Sequence, residues 1–216
     1  MAGNYIVRQG DHLSKIAKAF GFSDYHTIWN DPNNAALKQQ RQNPNVLYPG
    51  DSLYIRDRQE RVESRPTDKR HFFRKNTADL KLRLVLKDLY EKPIANASCI
   101  LTLGSNSTTV TTDGDGKIEQ VIKPDVHDAI LVIQDEQTPL NNTQIAIKIG
   151  DLDPEDQVSG QVARLNNLGY AAADVKQPDP KTFESAVEEF QCDQGLTVDG
   201  ICGPNTKASL KQVHGC

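Results

Sequence analysis

The chain has no apolar run approaching the roughly 20 residues that a membrane-spanning helix needs. It has no basic excess either: 25 lysines and arginines stand against 29 aspartates and glutamates, a formal net charge of −4. Nucleic acid wants a concentrated basic surface, so neither nucleic-acid binding nor membrane insertion is expected. Cysteine is scarce, and Cys99, Cys192, Cys202 and Cys216 are scattered without the paired spacing of a zinc site. Cys192 and Cys202 flank one predicted turn. They either pair after export or stay reduced and partly buried, and reduced thiols are the favoured reading. The opening Met-Ala-Gly-Asn-Tyr-Ile-Val-Arg lacks an apolar core region and a small-residue cleavage site. The expectation is a chain without a signal peptide, kept in the cytoplasm unless another machine exports it.

Catalytic patterns are missing as well. His12, His26, His71, His127 and His214 are dispersed, with no His-x-x-x-His or His-x-Glu spacing for a metal. No Gly-x-Ser-x-Gly elbow occurs. Cys99 lies in a predicted strand and Cys216 is terminal, which makes neither a convincing nucleophile. Glu188 and Glu189 read as the solvated face of a helix. No catalytic residue, metal or cofactor is expected.

At 216 residues the chain suits two or three small domains. Tyr5, Ile6 and Val7 are β-formers and open a strand. Gly10-Asp11 turns the chain, with Asp11 placed to cap a helix whose apolar face is Leu13, Ile16, Ala17 and Phe20. Gly21 ends that helix. A second helix begins near Ser23-Asp24 with Ile28 and Trp29, and the stretch from Ala35 to Arg41 is helical after an interruption at Pro32. Tyr48-Pro-Gly50 turns, and Ser52 to Ile55 returns as a strand. The opening Tyr5-Ile-Val-Arg-Gln-Gly-Asp-His-Leu13 and the closing Leu47-Tyr-Pro-Gly-Asp-Ser-Leu-Tyr-Ile55 together resemble a LysM domain over about Tyr5 to Arg56. That resemblance implies a βααβ fold and a shallow groove for glycans containing N-acetylglucosamine. Gly10, Asp11, His12 and Leu13 would face Asn45, Val46, Leu47 and Tyr48 across it. Two departures stand out: His12 replaces the usual Thr or Ser, and the segment from Asp31 to Gln42 is longer than a LysM domain needs.

From Asp57 to Lys75 the sequence is polar and mixed in charge, with Arg58, Arg61, Arg65, Lys69, Arg70 and Arg74 offset by Asp57, Glu60, Glu63 and Asp68. It reads as a solvated connector, with a docking strip for an acidic partner as the alternative. Phe72-Phe73 is expected to anchor the next domain. Beyond Asp79 the period becomes two. Six strands are expected, at about 80–86, 98–103, 108–112, 117–122, 129–133 and 144–149, with Asp113-Gly-Asp-Gly116 as a tight turn. Lys92-Pro-Ile-Ala-Asn-Ala-Ser98 and Thr111-Thr-Asp-Gly-Asp-Gly-Lys-Ile118 resemble a transthyretin-like or carboxypeptidase-regulatory-like β-sandwich. Asp113 and Asp115 lack the further ligands of a calcium loop, so no metal is assigned there.

After Leu152-Asp-Pro154, Val158, Val162 and Leu165 mark a helix closed by Gly169. A second runs from about Lys181 to Cys192 with Phe183, Ala186, Val187 and Phe190 on one face. A third starts at Pro204, with Ala208 and Leu210 inward. Leu168-Gly-Tyr170, Ala186-Val-Glu-Glu-Phe-Gln191 and Gly195-Leu-Thr-Val-Asp-Gly-Ile-Cys-Gly-Pro-Asn-Thr206 resemble the peptidoglycan-binding domain 1 family, a three-helix bundle, over about Glu155 to Val213. The stretch 171–179 departs from it by lacking the Asp-Gly-x-x-Gly that precedes the second helix. By that resemblance, wall contact falls to Tyr170, Gln191, Asp199 and Gly200.

The expected architecture is multidomain α+β: a LysM domain at 1–57, a charged linker at 58–78, an antiparallel β-sandwich at 79–151 and a three-helix domain at 152–216. The paired resemblances imply a non-catalytic adaptor holding peptidoglycan glycan strands, with the sandwich as spacer. The same set is similar to accessory proteins of type VI secretion systems, which implies a spike or effector protein docked on the central domain. A cell-wall hydrolase or toxin component is the weaker alternative.

Overall fold

Local signals in the sequence place the elements of a computed structural model that describes every residue except Met1, Glu60, Arg61, Glu63, 73–79, Leu89 and Pro139. Strand β1 (Gly3–Ile6) pairs with β2 (Ser52–Ile55). Between them run α1 (Leu13–Ala19), α2 (His26–Trp29), a 3-10 turn at Pro32–Asn34 and α3 (Ala35–Arg41). Helix α1 ends where Gly21 takes a φ of 77°, the Phe22 amide bonds the Ala17 carbonyl at 2.8 Å and the Gly21 amide bonds Lys18 at 3.0 Å. Those two bonds satisfy carbonyls the helix would otherwise leave open. They also take Phe20 off the helical path, so Phe20 is exposed rather than part of the expected apolar face.

Six strands follow, as the alternation predicts: β3 (Leu80–Val85), β4 (Ser98–Leu103), β5 (Asn106–Thr111), β6 (Lys117–Ile122), β7 (Asp128–Ile133) and β8 (Gln144–Lys148). β5 starts two residues before the expected 108, because the chain reverses at Gly104 and Ser105 and pairs Leu103 with Asn106 at once. β3 and β6 form one antiparallel pair, and β5-β4-β7-β8 form a four-stranded antiparallel sheet. Alternate residues of both sheets, among them Leu82, Leu84, Ile118, Cys99, Leu101, Leu131 and Ile133, meet in one apolar cluster. Gly116 closes the Asp113–Gly116 turn at a φ of 74°, where a Cβ would lie 2.4 Å from the Leu86 carbonyl oxygen, so only glycine fits. Phe72, expected to anchor the next domain, is exposed, with the Arg70 guanidinium over its ring at 5.5 Å; Phe73, Arg74, Arg61, Glu60 and Glu63 lie outside the described residues.

The C-terminal region holds α4 (Val158–Asn167), α5 (Pro180–Asp193) and α6 (Pro204–His214), with α4 packed on both α5 and α6. Val162, Leu165, Val187, Phe190 and Leu210 form its core. Asp179 caps α5 by accepting from the Thr182 amide at 2.9 Å, and Pro180 and Pro204 open α5 and α6 as expected of a residue with no amide to lose. Two expected core positions are exposed. Val158 is the first residue of α4, with no preceding turn to complete its face. Ala208 sits two residues from both Thr206 and Leu210, the buried pair of α6, and therefore on the other side of the helix.

The chain divides into two compact units. One comprises Met1–Gly3, Leu13–Asp31 and Ile55–Gly150; the other comprises Asn4–His12, Pro32–Tyr54 and Asp151–Cys216. The second unit thus brings two N-terminal stretches against the C-terminal helices. The Gln9 side-chain amide donates to the Asp151 carbonyl at 3.5 Å, Arg41 reaches Asp156 at 3.4 Å, and Lys211 donates to Gln42 at 3.4 Å.

Candidate functional site

The turn after β1 is built by Asp11. Its Oδ2 accepts from the Tyr5 hydroxyl at 2.7 Å and from the Arg8 amide at 3.0 Å, while its own amide bonds the Arg8 carbonyl at 3.0 Å. Burial raises the Tyr5 phenol above its ordinary value, and the Asp11 carboxylate adds to the shift by favouring the protonated donor. The loop before β2 is built by Asp51, whose Oδ2 accepts from the Tyr48 amide at 2.9 Å. Arg41 grips the same carboxylate through two bonds of 2.8 Å and lies over the Tyr48 ring, 5.6 Å from its centroid. These bonds to Asp51 raise the guanidinium above its ordinary value.

Val7 ties the two turns together. Its amide donates to the Asp51 carbonyl at 2.9 Å, and its carbonyl accepts from the Gly50 amide at 2.9 Å. Of the expected residues, Gly10, Asp11, His12 and Leu13 follow Val7 in the chain and Asn45, Val46, Leu47 and Tyr48 precede Gly50, and the structure links the two stretches at Val7, Gly50 and Asp51. It buries most of their side chains, however: Asp11, His12, Leu13, Val46 and Leu47 all face inward. Of the expected residues here, Asn45 is exposed and Gly10 and Tyr48 are partly exposed. A side chain at Gly10 would come within 3.2 Å of Asp151 Oδ1, so the C-terminal region bounds the rim on that side.

At the other end, Tyr170 is a core residue, its ring edge-on to Phe190 at 5.5 Å and its hydroxyl donating to Asp193 at 2.9 Å. Gln191 is only 1% exposed. Its Oε1 accepts from the amides of Asp199 at 2.9 Å and Gly200 at 3.0 Å. Its Nε2 faces Asp199 Oδ1 at 2.8 Å, the Ile201 carbonyl at 3.0 Å and the Thr206 hydroxyl at 3.0 Å. Gln191 thus shapes the 199–201 turn from inside, with its own side chain buried. Gly200 is buried at a φ of 68°, where a Cβ would lie 2.8 Å from Glu184 Cγ. Asp199 alone of the four expected residues is exposed, its carboxyl held low first by the Ile201 amide and then by Gln191. Beside it stand Val198 and Ile201, 53% and 65% exposed, an apolar pair that sequence reasoning passed over. Their signal was two β-branched residues bracketing an Asp-Gly turn, outside any helical period.

All four cysteines are free thiols. Cys216 Sγ lies 3.2 Å from His214 Nδ1, and burial pushes the thiol up and the imidazole down. Among the described residues, no group of three or more His, Cys, Asp or Glu is placed to hold a metal.

Comparison with known families bears on both ends. The LysM domain family matches residues 5–30, stopping just before the long segment that begins at Asp31. The family described as putative peptidoglycan binding domain matches residues 156–210, which cover α4 and α5 and reach Leu210 within α6. The chain is similar to each over that stretch, and the two together support peptidoglycan binding and action at the cell wall. No curated protein and no solved structure matches the chain. No helix among the described residues is long and apolar enough to cross a membrane.

Proposed function

We propose that this chain is a non-catalytic adaptor that holds peptidoglycan at two places and recognises glycan containing N-acetylglucosamine. The observation that carries the reading is the presence of two wall-directed matches on one chain, with the turns around Gly10 and Tyr48 hydrogen-bonded side by side through Val7. Backbone amides and carbonyls of such turns suit the acetamido group, and the Tyr48 ring suits a sugar face. At the other end, Val198, Asp199 and Ile201 offer an exposed tip of mixed apolar and acidic character. The domains run 1–57, 58–78, 79–151 and 152–216. The two sheets that share one apolar cluster act as a transthyretin-like sandwich and spacer, and the last three helices act as a bundle.

Sedimentation of the intact protein with purified peptidoglycan tests this. Co-sedimentation that N-acetylglucosamine oligomers compete away is the expected result. Weakening is expected from Tyr48→Ala at one end and from Ile201→Asp at the other. A protein left in the supernatant, or soluble muropeptides released by the intact chain, would overturn the proposal.

A further inference from the structure

A cleft of about 740 Å³ opens between the turn after α1 and the segment after β2, with Phe22, Ser23, Thr27, Arg56 and Arg58 in its wall. Its volume falls inside the roughly 300–1,000 Å³ of small-ligand sites. It shares no residue with the turns assigned above to glycan. All of its wall belongs to a single compact unit.

Two arginines set its character, against one carboxylate in the wall, Asp57. Neither Arg56 nor Arg58 makes a hydrogen bond or an ion pair among the described residues, whereas Arg41 and Arg164 spend theirs inside the fold. Gly21 makes room for one of them. A Cβ there would stand 3.0 Å from Arg58 Nη1, so the guanidinium lies against bare backbone at the helix end. A planar guanidinium with open donors matches a carboxylate through two parallel bonds, which a lysine does not reproduce. Ser23, Thr27 and Gln59 add hydroxyls and an amide of the kind that meet peptide N–H and C=O groups, and the half-buried Phe22 adds an apolar wall fit for a methyl.

We propose that this cleft binds a short carboxylate-bearing peptide, the stem peptide of peptidoglycan, with Arg56 and Arg58 paired to its carboxylates. The inference rests on the peptidoglycan reading above, because the wall presents such peptides beside the glycan.

Calorimetric titration of the intact protein decides it, using three probes. These are an N-acetylglucosamine oligomer, a disaccharide-tetrapeptide muropeptide, and the same muropeptide with its carboxylates amidated. The free-acid muropeptide should bind roughly tenfold or more tighter than the amidated one, the range of a charge-assisted hydrogen bond. The Arg56→Gln, Arg58→Gln double variant should lose that difference and keep the oligomer affinity, since neither side chain supports the fold. Oligomer binding without any gain from free carboxylates, or a double variant that retains the gain, overturns this inference alone. No binding of any of the three overturns the peptidoglycan reading with it.

Discussion

Burying an amide side chain is tolerable only when its oxygen and nitrogen recover the bonds they gave up to water. Gln191 recovers them from the 199–201 turn, where its oxygen accepts from the backbone amides of Asp199 and Gly200. Gln191→Ala removes the acceptor and leaves a void. The expected loss is on the order of 2–4 kcal/mol, read as a lower denaturant midpoint. Gln191→Glu is the sharper variant. It keeps an acceptor for the two amides but sets a second carboxylate against Asp199 Oδ1, which lies 2.8 Å from the present Nε2. The Glu variant should therefore be less stable at pH 7 than at pH 4, relative to wild type. Equal midpoints for wild type and both variants would show that the turn does not depend on this side chain.

The β3–β6 pair shows the same logic along an element. Register puts Arg83 opposite Glu119, and Glu119 bonds both Arg83 and Lys81 across the strands. Hydrogen bonds from Arg83 first, then Lys81, hold the Glu119 carboxyl down at about 2 from an ordinary 4.5. A carboxylate whose folded value is depressed stabilises the fold above the unfolded value and loses that contribution as pH falls through the folded one. The window is thus from 4.5 down to about 2. Comparing Glu119→Gln with wild type by acid denaturation, the two curves should converge across that window. Added salt should shrink the difference at neutral pH, because the pair is exposed. Parallel curves would rule the pair out as a stabilising contact. Elements such as these were legible in the sequence because alternation, capping residues and turn glycines are local signals. All six central strands and the starts of α5 and α6 followed from them. Which residues face inward was less legible at the ends of elements, as Phe20 and Val158 show, because burial there is decided by what the neighbouring element covers. The candidate site was harder still. Asp11 and Gln191 stand in the expected motifs, yet both bond inward, and a sequence does not distinguish a polar side chain that frames a turn from one that meets a ligand.

At the scale of the molecule, the grouping of 4–12 and 32–54 with the C-terminal helices has no counterpart in the sequence pattern, since it depends on polar contacts between residues more than a hundred positions apart. Arg41 is central to it. Its side chain and that of Asp51 are 5% and 8% exposed, so this is a buried pair, and the same guanidinium reaches Asp156. Removing one partner of a buried pair leaves an uncompensated charge and costs about 3–5 kcal/mol, whereas loosening a half-exposed contact costs far less. Arg41→Ala and Asp156→Ala should therefore separate. Asp156→Ala should leave the unfolding midpoint within about 1 kcal/mol of wild type. Arg41→Ala should destabilise the turn that carries Tyr48 and release the N-terminal stretches from the C-terminal helices together. In calorimetry the transition of the second unit should then split in two, and amide exchange should quicken around both Tyr48 and Asp156. If the two wall-directed ends act as one fixed surface, Arg41→Ala should also weaken sedimentation with peptidoglycan more than Tyr48→Ala does, because it disturbs their relative placement as well as one contact. A single unsplit transition in Arg41→Ala, with wall binding no weaker than in Tyr48→Ala, would mean that the two ends fold and bind independently.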